Sequence, residues 1–286
     1  MRNILVFILV NTTILAMAVN PYKPAKKIPQ HVDGMKLVFS EEFNYTGKPD
    51  SAVWNYEQGF KRNNELQWYQ ADNANCCNGR LLIEGLKTNF PNPNFKAESK
   101  NWRTNRETVT YTASSITTAN KKQWLYGRFE VRARIDTTMG SWPAIWLLGS
   151  GREWPACGEI DMMEFYRYKG DPVVLANVAW SGKGRHNPIW DNYRKPLSEL
   201  LAKDKKWTQK YHVWRMAWTP TEIKLYLDDM LLNSTMLSKT INADGSNPFT
   251  EPMYFLLNLA LGSNGGTPDP TKSSFLYEVD YVRVYQ

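Results

Sequence analysis

The chain has 286 residues, of which 42% are hydrophobic and 13% aromatic, so it is long and apolar enough for one large domain with a packed core. The formal net charge is +7, yet the basic residues are scattered in pairs such as Lys26-Lys27, Lys121-Lys122 and Lys205-Lys206. A nucleic-acid-binding protein typically concentrates positive charge on one stripe or module, so we expect no nucleic-acid partner.

The chain begins with MRNILVFILVNTTILAMA, in which one basic residue precedes a short apolar stretch and Ala16 and Ala18 form a small-residue end. This pattern is typical of a signal peptide that is cleaved after Ala18. The alternative is a membrane anchor, but the stretch is short and is interrupted by polar residues 11–13. We therefore predict a signal peptide over residues 1–18, export to the periplasm or beyond the cell, and no membrane span.

Residues 19–32 are rich in Pro and Lys and lack hydrophobic periodicity, which predicts a linker. Residues 33–286 contain no second linker or repeat, so we predict one domain there. The three cysteines are Cys76, Cys77 and Cys157. Adjacent cysteines rarely bridge each other, so a disulfide from Cys157 to either of the others stays open, and no spacing suggests zinc.

Most of the domain consists of short segments that are rich in β-branched or aromatic residues and bounded by Gly, Pro, Asn or Asp, which predicts strands. They are KLVFSEEF, RLLIEGL, YTASSITT, GRFEVRARI, AIWLLG, EIDMMEFY, VVLANVAW, HVWRMAW, EIKLYLDD, MYFLLNLAL and YEVDYVRVY. In GRFEVRARI, Phe129 and Val131 fall on one face, and Arg128 and Glu130 on the other. The only helical candidate is PLSELLAKD, residues 196–204. The pattern predicts an all-β fold, a jelly-roll β-sandwich of two curved antiparallel sheets with a concave, aromatic-lined groove.

Three acids lie within the apolar strand EIDMMEFY, residues 159–166. Glu159 and Asp161 share a face because side chains alternate along a strand, but simple alternation would turn Glu164 into the core. An unpaired carboxylate is costly to bury. A β-bulge at Met162-Met163 would reset the phase and bring Glu164 to the same face as the other two acids.

Two carboxyl groups above a groove are typical of a retaining glycosidase, which needs one ionised nucleophile and one protonated acid/base. Glu159 and Glu164 have the longer reach, and the shorter Asp161 between them suits a supporting role through hydrogen bonding and charge. The alternatives are a calcium site or an acidic surface strand. Calcium ligands usually come from loops, and a surface strand would not place apolar residues between its acids.

The segment GEIDMMEF resembles the signature of glycoside hydrolase family 16. NNELQWY, YGRFEVRARI, GSWPAIWLLG, EIKLYLDD and YEVDYVRVYQ are similar to other blocks of that family, in the expected order, over residues 35–286. The resemblance implies a β-jelly roll and endo-cleavage of β-linked polysaccharides with retention of configuration. It implies Glu159 as nucleophile, Asp161 as assisting acid and Glu164 as acid/base, with no cofactor for catalysis.

Aromatic and polar residues are predicted to bind the glycan. Trp142 and Trp146 share one face of a strand, and indole rings stack on the apolar faces of sugars, although two core tryptophans are the alternative. By resemblance, these two form the groove floor, and Asn64 and Glu65 hold sugar hydroxyls on the non-reducing side. Trp180, which ends the strand after the acids, is predicted to flank the leaving-group side.

The resemblance also implies a structural calcium ion on the convex side, held by a glycine carbonyl and a late aspartate. Gly79 and Asp280 occupy similar positions in this sequence. The alternative is an ordinary turn at Gly79 and an ion pair between Asp280 and Arg283.

The substrate is less defined. NNELQWY favours β-1,3- or β-1,3-1,4-glucan, but the strand after the acids has Ala179 where the family's β-1,3-glucanases usually carry His in a T-L-H pattern. The alternative is an endo-β-galactosidase acting on poly-N-acetyllactosamine, mucin-type O-glycans or galactans, with residues 180–207 reshaping the leaving-group side through Trp190, Tyr193 and Arg194. A lectin without catalysis is a remote third reading. We expect a monomer with a glycan substrate as its partner.

Overall fold

The computed structural model describes residues 28–286, which fold into two β-sheets. The signal peptide predicted for residues 1–18 and residues 19–27 of the predicted linker lie outside the described residues. The strands are β1 (His31–Val32), β2 (Met35–Glu41), β3 (Asn55–Tyr56), β4 (Gln67–Tyr69), β5 (Ala74–Cys77), β6 (Arg80–Pro91), β7 (Thr108–Ala113), β8 (Ser115–Thr117), β9 (Gly127–Arg134), β10 (Ser141–Gly149), β11 (Glu159–Tyr168), β12 (Asp171–Ser181), β13 (Pro188–Pro196), β14 (His212–Trp218), β15 (Glu222–Leu227), β16 (Met230–Met236), β17 (Met253–Leu261) and β18 (Ser274–Tyr285). Among these residues the α-helix is α1 (Leu197–Lys203), and short 3-10 turns cover Ala71–Asn73, Trp207–Gln209, Leu237–Lys239, Pro248–Thr250 and Ser263–Gly265.

The two sheets have different roles. The outer sheet has 11 strands, in the order β16-β15-β14-β9-β18-β6-β7-β4, with β2 also pairing with β18, β1 with β2, and β5 with β6. The groove sheet has seven strands, in the order β13-β12-β11-β10-β17-β8-β3. Neighbouring strands are antiparallel except β4 and β7, which pair in parallel. The predicted all-β sandwich is confirmed, with that one parallel pair as an addition.

Alternation along the strands builds the core between the sheets. In β9, Phe129, Val131 and Ala133 are buried in the main hydrophobic cluster, as predicted. Phe129 lies 5.8 Å from Phe255 of the groove sheet and 6.0 Å from Trp218, measured between ring centroids. Each such buried ring contributes roughly 1.5–3 kcal/mol relative to an exposed one. Aromatic contacts therefore fix the position of one sheet relative to the other.

Some elements were not predicted. The linker was predicted to reach residue 32, but His31–Val32 already pair with Met35-Lys36 as a short hairpin. Strand β13 was also missed. It begins and ends with proline, which an edge strand tolerates because one side of its backbone needs no ladder partner. The predicted helix is confirmed as α1. None of the helices in residues 28–286 is long and apolar enough to cross a bilayer.

Candidate active site

A β-bulge in β11 brings the three acids to one face. Ile145 of β10 pairs with Met163 and Trp146 pairs with Asp161, so one extra residue lies on the β11 side. Met162 and Met163 are both fully buried in the core between the sheets. Glu159, Asp161 and Glu164 all line the same groove on the opposite face. The predicted bulge and the shared face are therefore confirmed.

The groove has a volume of about 590 Å³ and crosses the strands of the groove sheet rather than running along them. At one end lies the loop of residues 62–65, which Leu66 anchors to β17 by donating its backbone N–H to the Leu261 carbonyl at 2.8 Å. The acids of β11 lie in the middle, and edge strand β13 forms the other end. A polymer lying in this groove would pass over β17, β10, β11, β12 and β13 in turn.

Neutral donors hold the three carboxyl groups. Trp154 donates its indole N–H to Glu159 Oε2 at 2.5 Å. The Trp142 indole N–H donates to Glu164 Oε1 at 2.9 Å. The Asn177 amide lies within 3.2 Å of both Asp161 Oδ2 and Glu164 Oε2, and so links these two acids. No cation forms an ion pair with these acids within the described part of the chain.

Burial raises the pKa of each acid. Burial, followed by the negative charge of Glu159, raises the pKa of Glu164 to about 7. Burial and the charges of both glutamates raise the pKa of Asp161 well above its ordinary range. Burial also raises the pKa of Glu159, against the hydrogen bonds from Trp154 and Asp161. Glu164 is therefore a carboxyl group that can carry a proton at neutral pH, as a general acid must.

Strand β13 places one side chain in line with each acid. In the register of β11, β12 and β13, three rows of opposed residues cross the groove: Glu159–Ala179–Trp190, Asp161–Asn177–Asn192 and Glu164–Leu175–Arg194. Opposed residues of neighbouring strands share a face. The small side chain of Ala179 leaves space between Glu159 and the Trp190 ring. The groove wall at β13 is thus aromatic, amide and cationic in turn.

Several predicted binding residues line the groove, namely Glu65, Trp142 and Trp146. The Trp146 indole N–H donates to Asn258 Oδ1 at 2.7 Å, and the Arg62 guanidinium lies 5.0 Å from the centre of its ring system. Trp146 is therefore already covered by a cation on part of its surface. Glu65 is 2% exposed and accepts a hydrogen bond from Gln67 at 2.6 Å.

Asn64 is placed differently from the prediction. Its neighbours Asn63 and Glu65 line the groove, whereas the Asn64 carbonyl accepts a hydrogen bond from Arg106 at 2.9 Å. Asn63 and Asn64 both have positive φ, so the chain turns sharply here and successive side chains point apart. The polar side chain that the loop gives to the groove is that of Asn63.

The prediction that Trp180 flanks the groove is wrong. Trp180 is 7% exposed and packs in the core cluster together with Val178. Alternation along β12 turns Asn177 and Ala179 to the groove, so Trp180 must point to the other sheet. Ala179 opposes Glu159 in the strand register, so its neighbour Trp180 cannot share the groove face.

The calcium prediction is poorly matched by the residues present. Gly79 lies in the tight turn between β5 and β6, with φ +71°. Asp280 is 2% exposed and forms an ion pair with Arg132, while Arg283, the partner suggested by the sequence, pairs with Glu42. Residues 28–286 contain no cluster of three or more acids, histidines or cysteines suited to a metal. Calcium binding stays a prediction, in which the ion would have to displace an arginine.

The cysteines are all free. Cys76 and Cys157 are buried, and burial raises the pKa of the Cys157 thiol to about 11. The bridge that the sequence left open is not formed in this structure.

Sequence reasoning missed Arg62, Trp154, Asn177 and Asn192, which line the groove. Trp154 and Arg62 lie on loops, where no periodicity reveals which way a side chain points. Asn177 could have been found, since a polar residue inside the apolar run VVLANVAW needs a hydrogen-bonding partner.

The chain is similar to known proteins along most of its length. The model of the family described as Glycosyl hydrolases family 16 matches residues 65–283. A Beta-glucanase from Rhodothermus marinus is 31% identical over 274 residues, which cover 88% of this chain and 85% of that protein. A Keratan-sulfate endo-1,4-beta-galactosidase from Sphingobacterium multivorum is 28% identical over 266 residues, which cover 88% of this chain and 55% of that longer protein.

Two solved structures share the whole fold. One is described in the words "Prominent members of the human gut microbiota express endo-acting O-glycanases to initiate mucin breakdown", with TM-score 0.80 and 34% identity, covering 91% of this chain and 94% of that one. The other, an endo-beta-1,3-glucanase from Pyrococcus furiosus, has TM-score 0.75 and 29% identity, covering 91% of this chain and 98% of that one.

Proposed function

Because the chain belongs to glycosyl hydrolases family 16 and is an endo-acting glycoside hydrolase, we propose that it cleaves internal β-linkages of a galactose-containing glycan. The substrate class is poly-N-acetyllactosamine or mucin-type O-glycan. The observation that carries this choice is the row Glu159–Ala179–Trp190, in which a small residue stands between the nucleophile and a tryptophan of the edge strand. The likeness to the structure described with endo-acting O-glycanases supports it.

The acid arrangement supports cleavage with retention of anomeric configuration. Glu164 donates its proton to the glycosidic oxygen as the leaving glycan departs. Glu159 attacks the anomeric carbon and forms a glycosyl ester. Glu164, now ionised, takes a proton from water, the water oxygen bonds to the anomeric carbon, and Glu159 is released. Asp161 hydrogen-bonds Glu159 and steadies it through both steps.

The groove fits an endo-acting enzyme because it extends to both sides of the acids. The loop of residues 62–65 would hold the non-reducing side, with Asn63 and Glu65 bonding to sugar hydroxyls. Strand β13 would hold the leaving-group side, with the Trp190 ring stacking on a sugar face. Trp190 is 37% exposed, so its ring is accessible to a ligand.

A second substrate, β-1,3- or β-1,3-1,4-glucan, is favoured by a separate observation. Glu65 and Asn63 of the NNEL segment line the groove, and a relative with 31% identity is a Beta-glucanase. In this alternative the same acids act on glucose units, and Trp190 contacts the glucan beyond the cleaved bond.

One panel of substrates tests the proposal. The purified protein is incubated with laminarin, mixed-linkage glucan, agarose, keratan and mucin O-glycans, and the products are sized. We expect oligosaccharides containing galactose and N-acetylglucosamine from keratan or mucin glycans. Release of glucose oligomers alone would replace this substrate class by glucan, and release of monosaccharides alone would refute endo-action.

Retention is tested by following the reducing end of the first product by proton NMR. We expect the β-anomer to appear before it equilibrates with the α-anomer. First appearance of the α-anomer would refute the double displacement by Glu159 and Glu164.

Export is part of the proposal, since residues 1–18 have the composition of a signal peptide. Expression of the full chain in a bacterial host followed by fractionation and N-terminal sequencing tests it. We expect the periplasmic or secreted protein to begin at Val19. Recovery of the uncleaved chain in the cytoplasm would contradict export. The monomeric state is proposed as well and is tested by size-exclusion chromatography with light scattering.

A further inference from the structure

The far end of the groove carries a cation that catalysis does not use. Arg194 lines the groove from edge strand β13 and is exposed. It lies in the row Glu164–Leu175–Arg194, two strands from the acid/base. Neighbouring strands are about 4.8 Å apart, so the Cα atoms of Arg194 and Glu164 are roughly 10 Å apart.

The Arg194 guanidinium is positioned but not neutralised. Its central carbon lies 4.0 Å from the centroid of the Tyr168 ring, a contact that orients the planar fork. Among residues 28–286, Arg194 forms no ion pair. The other groove arginine differs, because Arg62 pairs with Glu57 and stacks on Trp146. Arg194 is thus the groove cation whose hydrogen-bonding fork is available to a ligand.

The local charge also favours an anion at this end of the groove. Lys169 Nζ lies 5.6 Å from the same Tyr168 ring and adds a second positive charge. The acid in the Arg194 row is Glu164, whose pKa is raised to about 7, so it repels an anion only weakly below that pH. The whole chain carries a formal net charge of +7. An arginine fork suits planar or tetrahedral anions because it donates two parallel hydrogen bonds.

We infer that Arg194 is a specificity-determining residue that binds an anionic substituent, a sulfate ester or a sugar carboxylate, on the leaving-group part of the glycan. This inference rests on the proposed function, since it assumes a galactose-containing chain across β13. It predicts that the enzyme accepts anionic glycans as well as, or better than, their neutral parents.

The test uses two matched substrate pairs with the full-length mature protein. One pair is keratan sulfate and its chemically desulfated form, and the other is a mucin O-glycan whose reducing-end core N-acetylgalactosamine carries α2,6-linked sialic acid and its desialylated form. For each pair, kcat/KM is measured for the wild type, Arg194→Gln, Arg194→Lys and the control Lys169→Gln. Lys169 is outside the groove lining, so its variant tests for a general loss of positive charge. Circular dichroism and thermal melting check that each variant is folded.

We expect Arg194→Gln to lower the anionic-to-neutral ratio of kcat/KM about tenfold for at least one pair, because a charge-assisted bidentate contact is lost. The pair that responds identifies sulfate or carboxylate. Arg194→Lys keeps the charge without the fork and should fall in between, whereas Lys169→Gln should change the ratio less than twofold.

The possible failures are distinguishable. If the wild type cleaves the neutral chains and Arg194→Gln changes neither ratio by more than twofold, the inference is wrong and the proposed function stands. An equal fall of the ratio in Lys169→Gln would also refute it, since the effect would then be diffuse charge. If the wild type cleaves none of the four chains, the proposed substrate class itself fails.

Discussion

Two groups of carboxylates, one on each sheet, have opposite kinds of partner. On the outer sheet, three acids have arginine partners: Glu278 with Arg80 and Arg134, Asp280 with Arg132, and Glu42 with Arg283. In the groove, the acids of β11 accept hydrogen bonds from two indoles, from the Asn177 amide and, for Glu159, from Asp161, and none of these donors carries a positive charge. Each set contains a fully buried acid, Glu278 in one and Asp161 in the other, on sheets that pack on the same core.

The partner of a carboxylate, arginine or neutral donor, determines whether the acid serves stability or proton transfer. An arginine neutralises a buried carboxylate and keeps it ionised, which makes the pair a structural unit. An indole N–H bonds to one carboxylate oxygen but supplies no positive charge. Desolvation therefore still disfavours the ionised carboxylate, and the pKa of the acid rises. The groove thus gives up stability to keep one acid, Glu164, protonated at neutral pH.

The largest expected effect is on catalysis by the groove. Glu159→Gln removes the nucleophile and keeps the shape, so we expect kcat to fall by about 10⁴-fold or more. Activity is measured on the best substrate of the panel, and glycan binding by calorimetry. Binding should persist, and full activity in the variant would mean that another residue is the nucleophile. A lectin would have had no activity to lose.

Glu278→Gln tests how much a buried ion pair of the outer sheet contributes to stability. The Glu278 side chain is 0% exposed, and its loss leaves Arg80 and Arg134 without their buried carboxylate. We expect the free energy of unfolding in urea to fall by about 3–5 kcal/mol. The control is Glu222→Gln, which breaks the partly exposed pair with Lys224 and should cost less than about 1 kcal/mol. Equal losses in both variants would remove the distinction between buried and exposed pairs.

A Glu-to-Gln substitution in the groove, Glu164→Gln, should increase the free energy of unfolding rather than lower it. The folded-state pKa of Glu164 is raised to about 7, so the native state holds a proton that the unfolded state has released. Stability is therefore lost as pH rises from the ordinary carboxyl range through 7. Gln does not titrate, so Glu164→Gln should raise the free energy of unfolding at pH 8 by about 3 kcal/mol and change it little at pH 4. A loss at pH 8 would contradict this sign.

Trp142→Phe tests how a neutral hydrogen-bond donor affects the pKa of Glu164. The Trp142 indole lowers the pKa of Glu164 by hydrogen-bonding its ionised form, so removing the N–H should raise that pKa further. Glu164 must be protonated to act as acid, and the basic limb of kcat/KM should move up by about half to one pH unit. The control is Trp102→Phe, outside the groove, whose ring contacts Phe60. An unmoved or lowered basic limb would exclude this hydrogen bond as a determinant of the pKa.

The smallest effect is expected for calcium. Since Arg132 already neutralises Asp280, EDTA should shift the melting temperature by less than about 2 °C relative to excess calcium. A larger stabilisation by calcium would show that the ion displaces the arginine, and would restore the prediction made from Gly79 and Asp280.

Much of the site could be predicted because it is local in the sequence. Alternation, the cost of burying Glu164 and the Met162-Met163 pair together required a bulge, and the structure contains it. The clean alternation of β9 likewise fixed its core face. These features depend on one strand and its period, which the sequence displays directly.

The residues of the groove wall could not be predicted in this way, because they depend on how neighbouring strands pair. The alignment of β12 with β11 determines that Asn177, and not Trp180, faces the acids. The alignment of β13 with β12 determines that Trp190, Asn192 and Arg194 line the groove. No single-strand pattern contains register, because it is set by which neighbour a strand meets and how its ladder aligns. The sequence by itself determined the acids and the kink that collects them. Only the tertiary structure decided which donors, rings and cation surround them, since those side chains come from different parts of the chain.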